Sequence, residues 1–176
     1  MPSEFDDLTF RPLARADLRV LHEWIQRPHV AEWWDNDYSQ EEVERDYLPT
    51  IDGGSTTKAY IAYLSGKPIG FIQSYVVKDS GGGWWTSEQD PGALGIDQFL
   101  VDANRLNQGL GTTMIRSFVA RLFSDPAVTR IQTDPDPENH RAIRCYEKAG
   151  FVQICPVMTP DGPALLMACD RSRSGQ

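Results

Sequence analysis

The chain has too few cysteines for a disulfide framework. Its three, Cys145, Cys155 and Cys169, are odd in number and lack metal-ligand spacing. They read as free thiols of a reducing cytosol, with no metal implied. Long apolar runs are missing too, so no segment is expected to span a bilayer. The opening residues Met1-Pro2-Ser3-Glu4-Phe5-Asp6-Asp7 are acidic and polar, the opposite of a secretory leader. The expected location is the cytoplasm, away from membranes.

Positive charge is also scarce. Lys and Arg number 17 against 25 Asp and Glu, a formal net charge of −8. A nucleic-acid partner needs a basic face to meet phosphates, so that class is set aside. An acidic cleft instead concentrates cations and speeds their capture. No repeat and no linker breaks the 176 residues, which suit a single domain spanning 1–176. The polar stretch Asp170 to Gln176 reads as a frayed tail. Monomer and homodimer both stay open.

The patterned segments alternate in kind. Leu8 to Leu13 alternates as a strand, and Leu18, Leu21 and Ile25 recur at helical spacing before Pro28. Ser39-Gln40-Glu41-Glu42 is a capping box, predicting a helix to about Leu48, before Pro49. Ser65-Gly66 between two apolar runs signals a hairpin. Gly95 to Val101 is the next strand, Gly111 to Phe123 a helix with one apolar stripe, and Val128 to Thr133 a strand. Phe151 to Val157 and Ala164 to Cys169 complete the strands. The Gly81-Gly82-Gly83 loop carries the pair Trp84-Trp85, and loops of that length in a compact domain tend to be functional.

Two motifs stand in series. Arg105-Leu106-Asn107-Gln108-Gly109-Leu110-Gly111-Thr112 links a strand to a helix. Glycines there leave backbone N–H groups uncovered at a helix N-terminus, an anion site suited to a pyrophosphate. It is neither a P-loop nor a dinucleotide fingerprint. Further on, Asn139, Ala142 and Tyr146 fall at spacings of three and four, and Gly150-Phe151 ends the run. One helix face then presents an amide, a small residue and a phenol. An ordinary capped amphipathic helix would have the same outline.

Taken in order from about Asp97 to Phe151, these motifs resemble the core of the GNAT N-acetyltransferase family. The resemblance implies an α/β (α+β) GNAT fold: a mixed, mostly antiparallel sheet of six to seven strands, splayed at a CoA cleft and flanked by about four helices. It implies acetyl-CoA as co-substrate, with Gln108, Gly109, Leu110, Gly111 and Thr112 at its pyrophosphate. Phe99, Leu100, Val101, Asn139 and Ala142 would contact the pantetheine. Tyr146 would be the general acid that protonates the departing thiolate. The family often has Arg or Gln three residues before the first glycine, where this chain has Leu106.

Acyl transfer to an amine also needs the amine neutral and held near the carbonyl. Asp97 lies inside a strand, where acids are disfavoured, and so is expected in a polar cavity or a buried salt bridge. Asp134 ends the neighbouring strand, as a second cleft acid or as a turn residue. Cys145 is one residue from Tyr146 and points to another helix face.

A closer resemblance covers most of residues 20–165. Glu32-Trp33-Trp34, Gln73-Ser74-Tyr75, Gly83-Trp84-Trp85, Asp90-Pro91-Gly92, Gly95-Ile96-Asp97-Gln98, Ile131-Gln132-Thr133-Asp134-Pro135, Arg141 to Phe151 and Thr159 to Ala164 are similar to the aminoglycoside 6'-N-acetyltransferases. This implies a polycationic aminoglycoside as substrate. Asp97, Asp134, Glu88 and Asp161 would meet its ammonium groups, while Trp34, Gln73, Tyr75, Trp84 and Trp85 line its sugars. Gly82 replaces an acid of that subgroup, and the segment Asp35 to Glu42 is shorter than its counterpart. Rival readings are a transferase for a protein N-terminus, a lysine or a siderophore amine, and a non-catalytic acyl-CoA or drug-binding module.

Overall fold

The computed structural model describes residues 5–34 and 37–173. Met1 to Glu4, Asp35 and Asn36 of the short segment, and the last three residues of the tail lie outside them. Among the described residues no helix is long and apolar enough to cross a membrane. The chain forms two compact units, Met1–Gln73 with Gln98–Leu106, and Ser74–Asp97 with Asn107–Gln176.

In the first unit, β1 (Leu8–Pro12) pairs antiparallel with β2 (Lys58–Leu64) from Leu8↔Leu64 to Pro12↔Tyr60. Ser65 and Gly66 both have positive φ, 49° and 77°, as a two-residue hairpin turn requires, and lead into β3 (Lys67–Val76). Helix α1 (Leu18–Ile25) buries Leu18, Leu21, Trp24 and Ile25. It ends earlier than the proline that was expected to stop it. Pro28 instead opens the four-residue helix α2 (Pro28–Ala31), with Arg27 extended before it at ψ 135°.

Helix α3 (Gln40–Ile51) starts at the expected capping box, where Glu42 N–H donates to Ser39 Oγ at 3.2 Å and Ser39 N–H to the Glu42 carboxylate at 2.8 Å. It then runs through Pro49 to Ile51. A proline in the last turn forfeits a single backbone bond, so the stop comes later than the rule suggests. The core joins α1, α3, β2 and Phe71 of β3, with Phe99 and Val101 against it.

In the second unit, β4 (Ala93–Leu100, its first part) runs parallel to β5 (Arg130–Thr133), from Ala93↔Arg130 to Gly95↔Gln132. Past that last pair the Ile96 carbonyl accepts from Thr133 Oγ1 at 3.2 Å in place of a ladder bond. That is where the resemblance places the splay. Strand β7 (Gly162–Asp170) pairs antiparallel with β5 on one side and with β6 (Val152–Thr159) on the other. Arg171, just after β7, donates to the Val128 and Phe123 carbonyls at 2.9 and 3.0 Å, which ties down the start of the expected tail.

Helix α4 (Leu110–Phe123) buries Leu110, Met114, Ile115, Phe118, Val119 and Phe123, the apolar stripe read from the sequence. Helix α5 (His140–Lys148) closes in a Schellman motif: Phe151 N–H donates to the Tyr146 carbonyl, Gly150 N–H to Glu147, and the Phe151 ring packs on Tyr146 at 5.3 Å. Gly150, at φ 104°, makes that turn possible. Among the described residues seven strands in the order β1-β2-β3-β4-β5-β7-β6 match the expected sheet, β4 running parallel to β5 and the pairs β1–β2, β5–β7 and β6–β7 antiparallel. Among the described residues five α-helices stand where about four were expected, because α2 is a separate turn.

Candidate active site

The acidic cluster belongs to the second unit. Alternation along β4 and β5 puts Gly95 and Asp97, Gln132 and Asp134 on one face. Tyr75, near the end of β3, lays its phenol on Gly95. A Cβ at position 95 would stand 2.1 Å from Tyr75 Cζ and 2.4 Å from its hydroxyl oxygen. Only glycine admits the ring, and a strand glycine often marks such a close approach. The Trp85 side chain hydrogen-bonds to the Tyr75 oxygen. Burial first, and then the charges of Asp97 and Asp134, hold the Tyr75 hydroxyl well above the usual phenol range, so it stays protonated.

Asp134 is half-buried, and its carboxyl is pushed up to about 7 by burial first and then by Asp97 and Asp161. A carboxyl with that value exchanges a proton readily near neutral pH. It also gains from a cation that relieves the repulsion among the three acids. Asp161 is exposed in the turn before β7. The Tyr146 hydroxyl lies close enough to the Tyr75 oxygen to raise it further, so α5 delivers its phenol to the same neighbourhood.

The loop ahead of α4 is as open as its glycines suggest. Asn107 and Gly109 are left-handed, at φ 61° and 81°, and the cap residue Gly109 offers no side-chain bond. The first helical donor is Thr113 N–H to the Gly109 carbonyl at 3.0 Å. The amides of Leu110, Gly111 and Thr112 therefore have no intrahelical acceptor and sit at the positive end of the helix. Thr112 Oγ1 lies 3.4 Å from Cys145 Sγ, which joins this end of α4 to α5. Burial pushes the Cys145 thiol up, in keeping with a thiol that is not a nucleophile. Asn139 caps α5, its side-chain oxygen accepting from Ala142 N–H at 3.2 Å.

The glycine loop, the capped helix and the acid face follow one another in the order read from the sequence, and the acetyltransferase (GNAT) domain family matches residues 14–158. The chain belongs to the GNAT acetyltransferase family. Over 96% of its length it is 49% identical to aminoglycoside N(6')-acetyltransferase type 1 of Klebsiella pneumoniae, covering 88% of that protein. Aminoglycoside acetyltransferase AAC(6')-Ib in complex with coenzyme A and kanamycin is 50% identical, with a TM-score of 0.90 over 94% of this chain and 96% of that one. The AAC(6')-Ib complex with paromomycin and acetyl-CoA gives 0.92 at 49% identity, over 97% of both chains.

Other expected site residues of this GNAT chain lie in the first unit. Trp34 sits edge-on to Phe99 at 5.2 Å and to Phe71 at 6.0 Å, packed against the core. Gln73 is half-buried in β3. The strand end Phe99 to Val101 divides by parity, since Val101 N–H bonds to the Ile69 carbonyl of β3 and Leu100 therefore faces away from it. His29 Nε2 lies 2.8 Å from the Leu100 oxygen, and Arg27 donates to the Val101 carbonyl at 2.5 Å. In the second unit, Glu88 accepts from the Gln89 and Asp90 amides at 2.9 and 2.8 Å, holding its own turn. Trp84 and Trp85 are tilted together at 6.0 Å, both half-buried, and Trp85 is left-handed at φ 48°. Sequence reasoning missed Gly95 as the seat of Tyr75, the clamp of Arg27 and His29, and Gln132. Of these, only the strand glycine left a readable signal.

Proposed function

We propose that the chain transfers the acetyl group of acetyl-CoA directly to the 6'-amine of an aminoglycoside, in the reducing cytoplasm, and so confers resistance to the drug. The observation that carries this is the 49% identity to an aminoglycoside N(6')-acetyltransferase along 96% of the chain, a span far longer than the CoA core alone. The charge of −8 and the three-acid cluster supply what a polycationic sugar needs.

The residues divide the work as follows. The amides of Gln108, Gly109, Leu110, Gly111 and Thr112 receive the pyrophosphate. Strand-edge groups of Phe99 to Val101, with Asn139 and Ala142, receive the pantetheine. Asp97 and Asp134 bind the drug's ammonium, and the pair takes its proton. The neutral amine attacks the thioester carbonyl, a C–N bond forms, and the C–S bond breaks. Tyr146 gives its proton to the leaving sulfur and regains one as the acylated nitrogen sheds its excess proton. Tyr75, Trp85, Trp84 and Gln73 line the sugars, with Asp161 and Glu88 at the rim.

Incubation with acetyl-CoA and kanamycin tests the reading. Free CoA thiol should appear in step with acetylated drug. An analogue with a 6'-hydroxyl in place of the amine should not be turned over. Kanamycin that binds without thiol release would defeat the enzyme reading.

A further inference from the structure

On the face that carries Asp97 and Asp134, one buried donor has no protein partner. Gln132 is 4% exposed, and its Nε2 lies out of solvent with no hydrogen-bond partner among the described residues. An amide donor buried and unmet costs about 1–3 kcal/mol, so its surroundings indicate what it serves. Its ladder neighbours are Gly95 of β4 and Ala168 of β7, both too small to cover it, and the Tyr75 phenol lies over Gly95.

Two residues along, Asp134 projects on the same face. The extended course continues past it, because Leu165 N–H donates to the Pro135 carbonyl at 2.9 Å. Side chains two apart on a strand stand roughly 6–7 Å from one another. A glutamine amide covers about half of that, and one water spans the rest. The groups facing the carboxylate from the neighbouring elements are Asp97 of β4, Asp161 of the turn before β7, and Tyr75 of β3, itself close to Tyr146 of α5. All are acidic or neutral, so an N–H donor is what an ionised Asp134 needs.

We propose that Gln132 is a positioning residue for Asp134, its amide N–H holding the carboxylate through one ordered water and aiming it at the incoming amine. This deepens the acetyltransferase reading of the same face and rests on it. A donor to the charged form favours that form, so removing it must raise the carboxyl's titration.

The test uses Gln132→Met, which keeps length and loses the donor, and Gln132→Glu, which keeps shape and also loses it. By carboxyl NMR, Asp134 should titrate about half a unit to one unit higher in Gln132→Met, and higher still in Gln132→Glu. The acid limb of kcat/KM for kanamycin should move with it, while Tm stays level or rises. On an Asp134→Asn background, Gln132→Met should cause no further loss of turnover. An unmoved Asp134 titration in both variants would overturn the proposal. So would additive losses with Asp134→Asn, or a drop in Tm with the limb in place. The NMR titration needs no turnover, so failure to acetylate kanamycin would sink the functional reading and still leave Gln132 to be judged.

Discussion

In the first unit, Trp34 meets Phe99 and Phe71 edge-on and finishes an apolar core. In the second, Trp85 sits in a left-handed backbone, and its side chain bonds to the hydroxyl of a tyrosine beside two carboxylates. Both belong to Trp-Trp pairs that the resemblance sets at the sugars, and Trp85 has the added cue of a glycine-rich loop. What separates them is the neighbours: two phenylalanine rings for one, a phenol and acids for the other. We propose that Trp34, whose ring is met by hydrocarbon, serves chiefly to pack the core. We propose that Trp85, held at a left-handed backbone angle beside a phenol and two acids, is placed for a ligand.

Breaking the acid side should have the largest effect. Asp97→Asn should lower kcat/KM for kanamycin by about 100- to 10,000-fold, and Tyr146→Phe should lower kcat by about 100-fold with drug affinity little changed. Steady-state kinetics with calorimetry separates the two. Normal activity in Asp97→Asn would remove that residue from the mechanism. On the apolar side, Trp34→Ala should cost about 2–4 kcal/mol in urea unfolding, with KM for kanamycin nearly unchanged. A large KM rise without loss of stability would return Trp34 to the sugar site.

The acid cluster should also trade stability for chemistry. The Asp134 carboxyl is raised in the fold, so between its ordinary range near 4 and about 7 the folded state binds the extra proton. Stability should therefore fall as pH rises through that window, and Asp134→Asn should recover about 1–3 kcal/mol at pH 7.5 and almost nothing at pH 3.5. Thermal melts at the two pH values check it. The same titration should make kcat/KM rise with pH through about 7. The smallest effect should come from Trp85→Ala, raising KM for kanamycin several-fold, equivalent to about 1 kcal/mol, with Tm moved little. Equal Tm losses in Trp34→Ala and Trp85→Ala would erase the contrast between the two units.

Much of this fold was legible because its signals are local. The Ser39–Glu42 box, the Ser65-Gly66 turn, the α4 stripe and the Gly150-Phe151 close each depend on residues within one or two turns of each other. Pro49 was misjudged because its cost depends on where the helix ends, which packing of Val43 and Tyr47 decides. That the Glu88 oxygen also accepts from two amides of its own loop was not legible in the sequence, because it depends on how the turn closes. Gln132 drew no attention because an amide in a strand says nothing until its register partners are known.

By itself, the sequence determined the chemical inventory and the local elements: the glycines ahead of α4, the phenol on α5, the excess of acids, and helices and strands read from period and caps. Tertiary structure alone decided how those groups act. Parallel pairing of Gly95 with Gln132 brings two distant strands side by side, seats Tyr75 on the glycine and sets Asp97 within the field of Asp134. Burial and Coulomb repulsion act through space between residues far apart in the chain, and so the carboxyl that titrates near 7 is a property of the fold.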